Sequence, residues 1–144
     1  MRRAVIGVAV AALALAASSG TAGGQTLECT ITGTPGNDML VGTAGNDVIC
    51  GLGGDDRIFA GAGNDLVVGG RGADRIRGGG GDDVLRGGRG ADAVTGGRES
   101  DTLTGGRGPD LLIARDGTQA NDTADGGLGV DRCRADTGDA TTSC

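Results

Sequence analysis

The chain has 144 residues, 33 of them Gly, with 19 acidic and 13 basic side chains, one Phe (Phe59) and no Trp, Tyr, His or Lys. Such a composition excludes a large aromatic core, and the acidic excess makes nucleic acid and anionic membranes poor partners while favouring hard cations. Collagen is excluded as well, because Gly does not fall at every third position and there are only two Pro; disorder is the competing reading of a Gly-rich acidic chain.

Residues 1–22 read as a secretory signal peptide. Met1-Arg2-Arg3 is a short basic start, Ala4 to Ala17 is an apolar run, and Ser18, Ser19, Gly20, Thr21 and Ala22 supply small residues for cleavage. The apolar run is too short for a comfortable membrane span, so a secreted, extracellular chain without a membrane span is expected after cleavage. Removal takes away Arg2 and Arg3 and no acid, which leaves 19 acidic and 11 basic residues, a net charge of −8. Four Cys in an exported chain suggest two disulfides, with three pairings open.

Residues 23–32 form an N-terminal cap, and a nine-residue unit then begins. Aligned on Asp, the period is regular: Asp38, Asp47, Asp56, Asp65, Asp74, Asp83, Asp92, Asp101 and Asp110 mark nine copies over residues 33–113. Two residues after each Asp stands an aliphatic: Leu40, Ile49, Ile58, Val67, Ile76, Leu85, Val94, Leu103 and Leu112. Two residues before it stands Gly, except for Glu99, and the first slot is Gly in every copy but the one opened by Ala60. The unit is Gly-Gly-x-Gly-x-Asp-x-aliphatic-x. Its first six residues are expected to turn, since Gly adopts positive φ without penalty. Its last three are expected to form a short strand whose middle, aliphatic side chain faces inward.

One such unit buries nothing alone, but stacked copies share a core, as in any solenoid. If the chain alternates between two walls, each coil takes two copies and copies n and n+2 lie one strand spacing apart, about 4.8 Å. Asp38, Asp56, Asp74, Asp92 and Asp110 then form one column and Asp47, Asp65, Asp83 and Asp101 another. Nine aliphatic side chains are a small return for ordering so many backbones, and neighbouring carboxylates repel. A cation between turns reverses that balance. Oxygen donors alone suit Ca2+, whose flexible coordination accepts carboxylates and carbonyls; no soft ligand is present for zinc or copper, and Mg2+ demands a tighter octahedron. Asp as a plain turn residue is the metal-free alternative.

In these residues the chain resembles the RTX, or haemolysin-type, calcium-binding nonapeptide repeats. The resemblance implies an all-β fold, a right-handed parallel β-roll, with Ca2+ held between copies n and n+2. It implies Asp38, Asp47, Asp56, Asp65, Asp74, Asp83, Asp92, Asp101 and Asp110 as side-chain ligands. It also implies backbone carbonyl ligands from Gly33, Gly36, Gly42, Gly45, Gly51, Gly54, Gly61, Gly63, Gly69, Gly72, Gly78, Gly81, Gly87 and Gly90. Four pairs of copies on one side and three on the other give about seven ions. Glu99 departs from the pattern and puts the site around Asp101 in doubt. Arg71, Arg89 and Arg107, 18 apart, would stack outside the first Asp column, as solvated rim charges or as an anion site.

Residues 114–144 read as degenerate repeats and a C-terminal cap. Ala114 to Asp125 is a copy with three extra residues, and Gly126 to Arg134 returns to nine with Cys133 in the aliphatic slot. Asp122 and Asp131 are secondary metal candidates. Local pairing, Cys29–Cys50 and Cys133–Cys144, would staple each end of the stack, where terminal coils have an open face; a Cys29–Cys144 bridge is the contrary case. No catalytic constellation is present, so no enzyme is expected. The function expected is Ca2+ binding coupled to folding, and the alternative is an extracellular structural or adhesive scaffold with Ca2+ as glue. Apolar Met39, Val41, Leu52, Phe59 and Leu66 are then either a partner patch or covered by residues 23–32. Thr34 and Thr43 with Asn37, Asn46 and Asn64 are a faint hint of outward rows of the ice-binding kind.

Overall fold

A computed structural model of the chain describes residues 28–117 and 121–144. The signal-peptide reading of residues 1–22 and the first half of the expected cap, residues 23–27, lie outside the described residues.

Two parallel sheets face each other. The first contains β1 (Ile31–Thr32), β3 (Val48–Gly53), β5 (Leu66–Arg71), β7 (Val84–Arg89), β9 (Thr102–Arg107), β11 (Thr123–Leu128) and β13 (Ala140–Thr142), in that order. The second contains β2 (Met39–Val41), β4 (Arg57–Ala62), β6 (Arg75–Gly80), β8 (Ala93–Arg98), β10 (Leu111–Ala114) and β12 (Arg132–Ala135). The chain crosses between the sheets at every copy, so each coil uses two copies and the whole is a parallel β-solenoid of about six turns. The 18-residue coil appears directly in the register, with Ile49 opposite Val67 and Ile58 opposite Ile76.

The aliphatic slot is the core. Ile49, Val67, Leu85 and Leu103 meet Ile58, Ile76, Val94 and Leu112 between the sheets, all buried. Leu40, at the first coil, is half-buried because no earlier coil covers it. After Ile113 the register step grows: Leu103 pairs with Ala124 and Leu112 with Cys133. The three added residues are therefore accommodated in the crossing between β10 and β11, while each inward slot keeps its partner.

The strands differ from the sequence expectation. Most run six residues, not three, because the Gly-rich half continues the ladder: Gly61 pairs with Gly79 and Ala62 with Gly80. The bend shrinks to three residues, such as Gly63-Asn64-Asp65. Pairing skips the first slot of each unit, where the strand turns inward, and the chain then needs positive φ at slots two and four, as at Gly70 (118°) and Gly72 (119°). A side chain there is strained, so this is where the glycines are required.

Both disulfides are the local ones, Cys29–Cys50 and Cys133–Cys144, with Cα atoms 5.9 and 5.7 Å apart. The first ties the chain ahead of β1 to β3; the second ties the C-terminal residue to β12. Residues 28–32 do not cover the apolar N-terminal patch: β1 pairs with β3 in the other sheet, and Met39, Val41 and Phe59 stay exposed. Leu66 is half-buried. No helix among the described residues is long and apolar enough to cross a membrane.

Candidate metal centre

Each repeat Asp stands at the end of a bend, one residue before a strand, and turns its side chain into the solenoid. Its backbone is fully engaged. The carbonyl accepts the N–H that opens the strand one coil on, as Asp56 does from Arg75 at 2.8 Å. The N–H donates to the Oδ1 of the Asp one coil on. The first column runs Asp38, Asp56, Asp74, Asp92, Asp110 and Asp131, and the second runs Asp47, Asp65, Asp83, Asp101 and Asp122, every bond 2.8–3.0 Å. Asp139 closes the second column, accepting from Asp122 N–H at 3.3 Å.

The second carboxylate oxygen is the anomaly. Oδ2 of Asp56, Asp65, Asp74, Asp83, Asp92, Asp101, Asp110, Asp122 and Asp131 is buried and has no hydrogen-bond partner. A buried polar atom without a partner costs about 1–3 kcal/mol, and more when charged. Beside it lies space reserved by glycine. A Cβ built on Gly69 would collide with Asp74 Oδ2 and come against the Gly87 carbonyl; one on Gly87 would meet Asp92 Oδ2 and the Gly105 carbonyl. The same pair of oxygens borders Gly51, Gly78 and Gly105. Ala60 and Ala114, both wholly buried, occupy this slot in two copies and narrow the space there.

Electrostatics agree with the geometry. Burial, aided by neighbouring carboxylates in the column, raises the pKa of Asp92 and of Asp101 to about 7. Burial likewise raises Asp56 and Asp83 to about 6, and pushes Asp65, Asp74, Asp110 and Asp122 upward. The columns are thus charged groups in a setting that disfavours their charge. A divalent cation removes both faults, since it partners Oδ2 and neutralises the repulsion. The donor set is oxygen only, which suits a hard cation. No three carboxylates converge at one point among the described residues, so an ion here would have to draw on successive rungs of a column and on backbone carbonyls.

The chain from residue 32 to 141 matches, in overlapping windows at 32–67, 61–94, 68–103, 95–131 and 116–141, the family model of the RTX calcium-binding nonapeptide repeat. The chain belongs to that family. Its RTX repeats, stacked in a β-roll with aligned Asp ladders, imply Ca2+ binding. No curated protein and no solved structure matches the chain.

Among the sequence-assigned ligands of this RTX roll, the structure joins the Asp carboxylates to first-slot carbonyls, those of Gly51, Gly69 and Gly87 among them. The slot-four glycines are arranged differently. The carbonyl of Gly54 lies against Gly72, and that of Gly63 against Gly81, one bend over the next. Asp38 and Asp47 are also distinct. Thr34 donates its N–H (2.5 Å) and hydroxyl (2.9 Å) to Asp38 Oδ2, and Thr43 does the same to Asp47 Oδ2 at 2.6 and 2.9 Å. These threonines are engaged inside the bend and do not form an outward row.

Slot five, treated as variable in the sequence reading, forms a second ladder. Asn37 Oδ1 accepts from Asp55 N–H and Asp55 Oδ1 from Ala73 N–H; on the other side Asn46 serves Asn64, Asn64 serves Asp82, and Asp82 serves Ser100. The signal was the run of Asn and Asp at this slot in the early copies. Asp139 was missed because its copy is one residue short. Glu99 does not interrupt the Asp column: it takes the glycine-like φ of 74°, and Asp101 keeps both ladder bonds.

Proposed function

We propose that the chain is a secreted Ca2+-binding protein whose RTX roll folds when the ion binds, and that it is not an enzyme. The observation that carries this reading is the set of nine buried, partnerless Asp Oδ2 atoms in two columns. Without a cation the folded roll must bury those charges unpaired; with one, binding energy becomes folding energy. Asp56, Asp74, Asp92 and Asp110 on one side and Asp65, Asp83 and Asp101 on the other would hold the ions, with first-slot carbonyls completing the shells. About seven ions fit between copies n and n+2 of residues 33–113, and the rungs at Asp122 and Asp131 offer secondary positions. Export through the segment at 1–22 is in keeping with two disulfides, which persist in oxidising surroundings.

The test is circular dichroism of the chain from residue 23 in chelator and in millimolar Ca2+. The expected result is a disordered spectrum that becomes β-rich as Ca2+ is added. Identical spectra in the two conditions would overturn the proposal. The alternative, a scaffold that uses Ca2+ only as glue, draws on exposed Met39, Val41 and Phe59. A pull-down with the Ca2+-loaded form separates it by recovering a bound partner.

A further inference from the structure

The net charge of the chain hides how the charge is arranged. Ten of its 19 acidic residues are buried: Asp47, Asp56, Asp65, Asp74, Asp83, Asp92, Asp101, Asp110, Asp122 and Asp131. The nine that remain face eleven arginines in residues 28–144, every one of them exposed. Once Ca2+ neutralises the buried columns, the wound roll shows eleven arginines against nine acids at its surface, so an acidic polymer becomes a particle with a mildly basic exterior. The acidic excess that makes anionic partners poor ones describes the metal-free chain and not the surface of the Ca2+-loaded roll.

Each sheet carries four arginines and no acid across three neighbouring strands, Arg71, Arg86, Arg89 and Arg107 on β5, β7 and β9 of the first; the second differs in setting the chain's one aromatic, Phe59, among its arginines. Strands β4, β6 and β8 present Arg57, Arg75, Arg77 and Arg98 and carry no acidic residue. The acids next to these strands, Asp56, Asp74 and Asp92, are buried, and the nearest exposed ones, Asp55, Asp82 and Glu99, lie in the bends. Arg57 stands directly opposite Arg75, and Phe59 opposite Arg77, about 4.8 Å apart by strand spacing. Like charges placed opposite each other destabilise a sheet, so this face gains when an anion lies across it. A depression of about 450 Å³ opens here, walled by Phe59, Arg77 and Arg98 and floored by Gly78-Gly79-Gly80. Space above Gly80 is open. The chain's single aromatic is 41 % exposed at this rim and takes no part in the core.

We infer that this face binds an acidic polysaccharide, the Arg77 and Arg98 guanidinium groups forking onto its carboxylates while Phe59 packs against the apolar face of a sugar ring. Arg57 and Arg75 extend the track for neighbouring residues of the polymer. Planar guanidinium matches carboxylate geometry, and an aromatic beside it supplies apolar contact without needing a polar partner. Single-stranded nucleic acid fits less well, because such sites repeat aromatic platforms along the strand and this chain has one. Anionic lipid is concentrated on the cytoplasmic leaflet, whereas the two disulfides place the roll in oxidising surroundings.

The inference rests on the Ca2+-folded roll proposed above, so one experiment reads both. The chain from residue 23 is titrated with a fluorescent hyaluronan hexasaccharide, by anisotropy, in millimolar Ca2+ and in EDTA, with circular dichroism on the same samples. Saturable binding is expected in Ca2+ only, weakening as salt is raised. Arg77→Ala with Arg98→Ala should weaken it at least about tenfold, the loss of charge-assisted hydrogen bonds. Phe59→Ala should weaken it by about threefold or more, and Arg71→Ala with Arg89→Ala, on the opposite sheet, should leave it within about twofold. All variants should keep the Ca2+-induced spectral change. A chain that folds in Ca2+ yet does not bind overturns the inference and leaves the folding proposal standing; a chain that shows no Ca2+-induced change strikes the folding proposal instead. Equal loss from the opposite-sheet pair, or tighter binding to single-stranded DNA or phosphatidylserine vesicles than to the sugar, also overturns it.

Discussion

Asp38 and Asp92 occupy the same slot of the same repeat, yet the molecule treats them differently. Asp38 Oδ2 receives two hydrogen bonds from Thr34, as Asp47 Oδ2 does from Thr43. Asp92 Oδ2 receives none, and burial raises its pKa to about 7. The first coil thus satisfies its carboxylates with donors from its own bends and is pinned by Cys29–Cys50. The coils beyond it have glycine or Leu52 in place of that threonine through Asp110, and they leave the oxygen to an outside partner. The difference teaches that one repeat sequence can build both an end that satisfies its own carboxylates and a body that leaves them open to a partner, with the threonine at slot two setting Asp38 and Asp47 apart from Asp56 to Asp110.

Removing the metal should expose this division most strongly. In chelator, hydrogen exchange is expected to become rapid throughout β5 to β11, while amides around Thr34, Thr43 and the Cys29–Cys50 bridge keep measurable protection. In Ca2+ both regions should be protected. Uniform loss along the chain would show that the threonine bonds do not make the first coil independent. Protection unchanged by chelator would count against metal dependence altogether.

Acid should partly replace the metal, and the sign follows from the raised pKa values. A carboxyl whose folded-state pKa lies above its unfolded value binds its proton more tightly when folded, so the fold gains stability as pH falls and loses it as pH rises through the folded value. For Asp92 and Asp101 the window runs from about 7 down to the ordinary carboxylate range near 3.8, and for Asp56 and Asp83 from about 6. Protonation removes the repulsion and gives Oδ2 a proton to donate to the adjacent first-slot carbonyl. Metal-free chain is therefore expected to gain β structure between pH 7 and 4, followed by circular dichroism in EDTA. A chelated chain that is less ordered at pH 4.5 than at pH 7 would contradict this account.

Single substitutions should reproduce the comparison on a smaller scale. Asp92→Ala removes the acceptor for the Asp74 N–H and one oxygen of the metal shell, at an expected cost of about 2–3 kcal/mol to the Ca2+-loaded form. Asp38→Ala lies at the open end, accepts from no earlier Asp, and should cost about 1 kcal/mol or less. Chemical denaturation in saturating Ca2+ gives both values, and equal losses would erase the distinction between end and body.

Much of this architecture was legible because the repeat is written with a fixed period. The inward aliphatics, the two Asp columns and the 18-residue coil follow from spacing alone, and the short spans between cysteines suggested the disulfides. The strand length was not legible, because a Gly-Gly step looks like a turn until a neighbouring coil offers it hydrogen bonds. The slot-five ladder was concealed by Ala73 and Ala91, which share a slot with Asn37, Asp55 and Asp82 but have no acceptor. Asp139 was concealed by the loss of one residue from its copy. The basic exterior could not be read from net charge, since only the fold separates inward from outward acids.

Glu99 offers the finest adjustment. It stands where other copies use Gly and holds φ at 74°, a conformation that costs a residue with a Cβ about 1–3 kcal/mol. The inserted segment braces it: Asp116 accepts the Glu99 N–H at 3.2 Å, and Asn121 Nδ2 donates to the Glu99 carbonyl at 2.8 Å. Both bonds are to its backbone, so Glu99→Gly keeps them while relieving the strain and removing one negative charge beside Asp83. The variant is expected to be more stable by about 1 kcal/mol, seen as a small rise in Tm in saturating Ca2+. Asn121→Ala should show the converse by loosening the brace, and in the Glu99→Gly background its cost should shrink. Were Asn121→Ala equally costly in both backgrounds, the brace would serve the insertion and not the strained residue.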